Sequence, residues 1–320
     1  MARVIPTVTY PFTDLSLELA DRREGKVRIS YALPNQRRLL VTTDRLSALD
    51  RVVTAVPYKG QVLNQLAAWW FAKTQSIIAN HLIAVPDPNV LIAVDATPLP
   101  VEVVVRGAIT GNTSTSLWRQ YANGARLIYG HRFADGLVRD SLLPEPLVTP
   151  TTKGASGVHD EPISESEVVS RGLVDESTWE LIRTAALSLF AFGQQIAGHA
   201  DLILADTKYE FGLDQDGQLI LIDEMHTPDS SRFWERSSYE SRVTEGADPE
   251  SLDKEPIRRA LAGLGYTGDG PPPDLGMDVI EATSNRYIKA FERITGDEFL
   301  PGEYPVDDRI KSALKSKGVL

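Results

Sequence analysis

Residues 219–234 read LILIDEMHTPDSSRFW. A run of four apolar residues ends on Asp223 and Glu224, and Asp229, Ser231 and Arg232 follow shortly after. Paired carboxylates can hold a hard divalent cation, and an arginine fork can grip a phosphate or a carboxylate. A solvated turn would also account for two acids at a strand end. Upstream, ADTKYEFG alternates so that Asp206, Lys208 and Glu210 share one strand face. DQDG then leads into GQLILID, a hairpin pattern with Asp216-Gly217 as a favoured turn pair. That register predicts Glu210 directly opposite Asp223, on the same face. Two carboxylates about 5 Å apart repel by roughly 3 kcal/mol at an effective dielectric of ~20, and a divalent cation between them would reverse the sign. A solvent-exposed face, or another hairpin register, would remove the need for one. With the favoured register, Glu224 falls on the opposite face, and Asp223→Asn is expected to stabilise the ligand-free protein by relieving repulsion.

Other cations sit where an anion could be held. GKVRISY puts Lys26 and Arg28 on one face of a strand, which suits phosphate or simple solvation. TPTTKGASGVHD places Lys153 among hydroxyls and small residues, before His159 and Asp160. It is either a mobile phosphoryl-following lysine or a surface one. Arg106 ends the apolar run VEVVVRG, and a buried strand end rarely carries an unpaired arginine. Arg232 repeats that logic. In DRLSALD (44–50), helix-capping and ligand-binding readings stand equally. G-x-S-x-G, Walker A and HExxH motifs are absent from the sequence.

The elements that must position these groups are legible in outline. Val27, Ile29 and Tyr31 alternate against Lys26, Arg28 and Ser30 as a half-buried strand, PNQR turns, and RLLVTTD returns. Residues 60–74 carry Val62, Leu63, Leu66, Trp69 and Trp70 at helical spacing. Residues 144–163, rich in Pro, Thr and Gly, are expected to form a long loop. Ser164-x-x-Glu167 is a capping-box signal, and a longer helix is expected after Asp175. Residues 253–265 and 278–293 read as terminal helices. Strands dominate the first hundred residues, so a boundary is expected near the 101–107 strand.

Composition narrows the chemistry further. With 320 residues, 42% hydrophobic and 24% charged, the chain reads as a globular protein of about two domains. The absence of cysteine excludes disulfides, thiolate catalysis and cysteine-ligated metals. Five histidines are scattered without ligand spacing, so any metal should be magnesium or manganese held by carboxylates. A net charge of −11 argues against a nucleic-acid partner. No secretory signal or membrane-length apolar run is seen, so the cytoplasm and small-molecule substrates are expected.

Taken together, GKVRISY, TTDRLSALD, VEVVVRGAITG, TPTTKGASGVHDEPIS, LADTKYEFGLDQDG and LIDEMHTPDSSRFW resemble the phosphoribosylaminoimidazole-succinocarboxamide synthase (SAICAR synthetase) family. The similarity runs from about Gly25 to Thr295 and includes DKEPIRR and the helix with Tyr287. It implies an α+β fold of two lobes, residues 1–104 forming a small, mostly antiparallel, nucleotide-covering lobe and 105–320 a larger α/β lobe. A kinase-like or ATP-grasp-like cleft would lie between them. It also implies an ATP- and Mg2+-dependent ligase that joins L-aspartate to the carboxylate of carboxyaminoimidazole ribotide through an acyl phosphate.

Carried over residue by residue, the resemblance implies that Lys26, Arg28, Glu102, Lys153, Asp160 and Lys208 serve the nucleotide. Glu210 and Asp223 would hold magnesium. Lys208, Lys153 and Asp206 would serve the chemical step. Arg106, Asn112, Asp229, Ser231 and Arg232 would hold the ribotide and its phosphate, with Arg45, Ser47 and Asp50 on the acceptor side. Two departures stand out. Asn112 replaces a serine found in some members, leaving Thr113 or Ser114 to supply a hydroxyl, and Ile29 replaces an acid often found after the arginine.

Overall fold

The computed structural model describes residues 10–113, 115–153 and 161–320; Ser114, His159 and Asp160 therefore lie outside the described residues. Alternation in the opening hairpin produces β1 (Arg23–Glu24), β2 (Arg28–Leu33) and β3 (Arg37–Thr42). Ile29, Tyr31 and Leu33 point inward, and Asn35 and Gln36 take the positive φ of a tight turn. A ribbon of β4 (Arg45–Ala48) and β5 (Arg51–Ala55) follows, then helix α1 (Lys59–Lys73), β6 (Leu82–Asp87) and β7 (Val90–Val94). The first sheet runs β1-β2-β3-β7-β6, antiparallel throughout.

The helix-capping reading of the 44–50 segment holds only for Asp44, whose Oδ1 accepts from the Gly60 amide at 3.0 Å at the start of α1. Ser47 lies in β4, and Leu49 and Asp50, both at positive φ, turn it into β5. Gly60 is needed because a Cβ there would lie 2.4 Å from the Thr42 carbonyl oxygen.

The second sheet begins with β8 (Thr97–Ala108). After α2 (Leu117–Ala122) and the ribbon β9 (Leu127–Ile128) and β10 (His131–Arg132) comes β11 (Leu142–Thr152). Residues 144–152, the first part of the expected 144–163 loop, thus lie in a strand. Pro144, Pro146 and Pro150 are tolerated because β8 is the one named strand β11 pairs with among the described residues, its other side meeting just residues 161–163 near its end. Two helices follow: α3 (Glu165–Ser170), closed by the Ser164/Glu167 capping box, and α4 (Glu176–His199), capped by Asp175. The long β12 (Leu202–Leu213) is the sheet's centre. It pairs β8 along one edge, and on the other β13 (Leu219–Ile222) and β14 (Ser231–Glu235) divide its length.

Helices α5 (Arg236–Thr244), α6 (Glu255–Gly263), α7 (Met277–Thr295) and α8 (Val306–Ser316) complete the chain. Among the described residues the strands form two five-stranded sheets and two two-stranded ribbons.

The main core lies between one face of the second sheet (Val101, Val103, Val105, Tyr209, Phe211) and helices α1, α4 and α7. A smaller core backs the first sheet, where Ile29, Tyr31, Leu39 and Val41 meet Phe12, Leu15 and the α8 residues Val306, Ile310 and Leu314. The amides of His81 and Leu221 bond across to the carbonyls of Leu221 (3.0 Å) and Ala79 (2.9 Å), which ties the first sheet to β13. No helix among the described residues is long and apolar enough to cross a membrane.

Candidate active site

With Tyr209 and Phe211 facing the core, period-two geometry turns Asp206, Lys208 and Glu210 to the other face of β12, and Glu102, Val104 and Arg106 of β8 join them. The register sets Asp206 opposite Arg106, Lys208 opposite Val104, and Glu210 opposite Glu102. A like-charged pair is present, but it differs from the one expected.

Across the hairpin Glu210 pairs with Ile222, one residue out of the expected register. The loop takes five residues, because the Asp214 carboxylate accepts from the amides of Asp216 (2.9 Å) and Gln218 (2.8 Å) and so builds a wider turn than Asp216-Gly217 alone would. Asp223 lies beyond the strand at φ 67°, which ends the alternation and brings its carboxylate back toward Lys208.

Lys208 Nζ gathers these acids. It pairs with Glu210 and lies 3.2 Å from Glu102 and 3.4 Å from Asp223. Lys153 pairs with the other Glu210 oxygen. From β2, Arg28 donates to Asp223 and, at 2.5 Å, to Glu224. Glu224 is buried on the same cation, so the expectation that it faces away is wrong, and the left-handed turn at Asp223 is the reason. Burial pushes the Asp223 carboxyl up, but Arg28, Lys208 and Lys153 outweigh it and hold the group below the usual carboxylate range. Burial also works against the Lys208 ammonium, and the surrounding carboxylates reverse that and raise it well above an ordinary lysine. At Glu224 burial prevails over Arg28 and the carboxyl is raised.

The other end of the same face is arginine-rich. Asp206 is buried between two arginines, pairing with Arg232 of β14 and lying 3.7 Å from Arg106. Arg106 Nε donates to Thr149 Oγ1 at 2.8 Å, and Ser231 Oγ lies 2.7 Å from Thr207 Oγ1. Asp229 accepts from Tyr287 at 2.5 Å and lies 2.9 Å from the fully buried Lys59 ammonium. Burial would raise the Asp229 carboxyl, but Lys254, Lys59 and the Tyr287 hydroxyl hold it low.

Two cavities flank the Glu102/Glu210 pair. One, of about 400 Å³, is lined by Val27, Arg28, Leu40, Pro98, Glu210 and Asp223. The other, of about 580 Å³, is lined by Ser47, Asp50, Glu102, Arg106, Lys254 and Arg258. Both fall in the range of small-molecule sites. A recess of about 60 Å³ holds Asp206, Asp229, Ser231 and Arg232.

Three expected residues stay outside this assembly. Lys26 pairs with Asp50 at 2.6 Å on an exposed rim, Arg45 pairs with Glu24, and exposed Asn112 faces a small recess beside Arg232. Sequence reasoning assigned no role to Lys59, Lys254 or Arg258. For the last two a signal existed in DKEPIRR, whose cations are spaced one helical turn apart. For Lys59 no local signal existed, because its partner is remote in the chain.

Comparison with known proteins agrees with this geometry. The family model described as SAICAR synthetase matches residues 21–272. A phosphoribosylaminoimidazole-succinocarboxamide synthase of Legionella pneumophila (strain Lens) is 48% identical over 311 residues, covering 94% of this chain and 96% of its own. The chloroplastic synthase of Arabidopsis thaliana is 45% identical over 295 residues, covering 91% and 71%. The SAICAR synthase of Saccharomyces cerevisiae, solved with SAICAR bound, superposes with a TM-score of 0.78 at 31% identity and covers 90% of this chain and 99% of that one. The α+β architecture of antiparallel sheets is therefore that of its structural neighbours. The chain belongs to the SAICAR synthetase family, ligases of de novo purine biosynthesis.

Proposed function

We propose that the protein couples ATP cleavage to amide formation between L-aspartate and the carboxylate of carboxyaminoimidazole ribotide, releasing ADP and phosphate. The observation that carries this reading is the single β12 face. It sets a lysine–carboxylate cluster (Lys208, Glu210, Asp223) beside an arginine-rich end (Arg106, Arg232), with a cavity on each side. The yeast relative's complex with SAICAR supports the choice of product.

In this reading residues 1–104 cover the nucleotide in the smaller cavity and residues 105–320 carry the acceptor; the enzyme works in the cytoplasm. A carboxylate is a poor electrophile. A ribotide carboxylate oxygen therefore attacks the γ-phosphorus of ATP, ADP leaves, and the acyl phosphate forms. The aspartate amine then attacks the carbonyl carbon, loses a proton, and phosphate departs. Lys208 and Lys153 donate to the phosphoryl oxygens in transit. Arg28 holds Asp223 in place. Asp206 orients Arg106 and Arg232 so that both forks meet the ribotide phosphate.

Magnesium fits this donor set. No group of three or more candidate ligands gathers among the described residues, but Mg2+ commonly binds through one or two carboxylates plus substrate phosphates, as Glu210 and Asp223 would provide. When bound, it would neutralise charge on the phosphates.

The test is turnover with ATP, the ribotide and a panel of amino acids. L-aspartate should support ligation, and L-glutamate should be much poorer because an extra methylene leaves a buried charge imperfectly paired. Equal rates with the two would overturn the aspartate assignment. A phosphorylated product formed without any amino acid would turn the reading toward a kinase.

A further inference from the structure

Lys254 stands immediately before α6 and borders both the 580 Å³ cavity and the recess of Asp206 and Arg232. Among the described residues its ammonium has no hydrogen bond and no ion pair, although the side chain is half-buried. Nearby carboxylates are already engaged: Asp229 by Lys59 and Tyr287, Asp206 by Arg232 and Arg106. Asp253 accepts from the Glu255 amide at 2.6 Å. One turn along α6, Arg258 lines the same two spaces, and among the described residues its one ion pair is with Glu255 at 3.2 Å.

Burial is the largest influence on the Lys254 ammonium and pulls its pKa down. Asp229 and Glu224 oppose this, while Arg258 and Lys59 reinforce it. A desolvated, unpaired cation costs stability, and a cavity on both sides leaves room for the anion that would offset that cost. The backbone of Lys254 serves the helix by accepting from the Ile257 and Arg258 amides, so the fold explains the backbone and not the side chain.

We propose that Lys254, with Arg258, is an oxyanion-binding residue of the larger cavity, receiving a carboxylate of the amine substrate or the phosphate of the ribotide. This rests on the ligase reading above.

The test compares wild type with Lys254→Met, which keeps the stem and removes the charge, and with Lys254→Arg, in the full-length protein. Lys254→Met should raise the KM of one anionic acceptor about ten- to a hundredfold, with the KM of ATP nearly unchanged and partial recovery in Lys254→Arg. A rise for L-aspartate identifies a carboxylate, and a rise for the ribotide identifies its phosphate. Without ligands, Lys254→Met should melt at or above the wild-type temperature, since burial of the ammonium outweighs what Asp229 and Glu224 return to it.

A folded Lys254→Met protein with unchanged KM for both acceptors would overturn the proposal, as would a clear fall in ligand-free melting temperature. If the wild type consumes neither acceptor, the ligase reading fails instead. Calorimetric titration with inorganic phosphate then decides on Lys254: weaker binding to Lys254→Met supports the site, and equal binding overturns it.

Discussion

Asp223 is the residue where a single backbone angle changes the chemistry. At positive φ it leaves the strand and shares Arg28 with Glu224, and it also meets Lys208. Asp223→Asn should therefore lower turnover by orders of magnitude at limiting magnesium. It should also cost the ligand-free protein about 1–3 kcal/mol in urea titrations, because Arg28 and Lys208 lose a charged partner. That reverses the stabilisation expected from an Asp223–Glu210 repulsion. Glu224→Gln should cost less than Asp223→Asn at neutral pH, since burial outweighs Arg28 there and raises the carboxyl, so the charge removed is one the fold disfavours. A second residue-scale prediction concerns Asp253, whose carboxyl burial pushes up to about 6 from 3.8. A raised folded-state value means that its contribution to stability is present below pH 4 and is lost as pH rises through 6. Asp253→Asn should thus be more stable than wild type at pH 7.5, by up to about 3 kcal/mol, and the advantage should vanish near pH 4. Unfolding curves at the two pH values check both the size and the sign.

At the scale of elements, alternation made the charged face of β12 readable, because a period of two needs no knowledge of partners. Pairing was less readable. The Asp214 side chain widened the hairpin loop by bonding two amides, a choice invisible to a turn-residue rule, and so Ile222 rather than Asp223 came to stand opposite Glu210. The prolines of 144–150 looked like a loop because only the finished sheet shows that β11 is an edge. Lys59 was hidden for a similar reason. It begins α1, yet its partner Asp229 and the Tyr287 hydroxyl beyond come from elements far along the chain. Lys59→Met should cost about 3–5 kcal/mol by leaving Asp229 buried without its cation. Adding Asp229→Asn should recover part of that loss, a coupling that a double-mutant cycle in denaturant measures.

At the scale of the whole molecule, the family resemblance covered the sheets and the site, but it ended near Thr295 and left α8 unforeseen. That helix closes the core behind the first sheet with Val306, Ile310 and Leu314, and Arg309 bonds Asp87 at 2.8 Å and Asn89 at 2.6 Å. Ending the chain after Pro305 should remove about 4–9 kcal/mol of apolar burial. The product should bind a hydrophobic dye and aggregate at temperatures the full chain survives; a shortened protein with unchanged melting behaviour would contradict this packing. The arrangement also fixes an order of events during synthesis. Domains commonly fold from the N-terminus as the chain emerges from the ribosome. Here the sheet made first, from residues 23–94, lacks one wall of its core until α8 has been translated. The apolar side chains of Ile29, Tyr31 and Leu39 must wait until α8 has emerged, so a nascent chain arrested before Val306 would expose that face of the first sheet to chaperones and proteases.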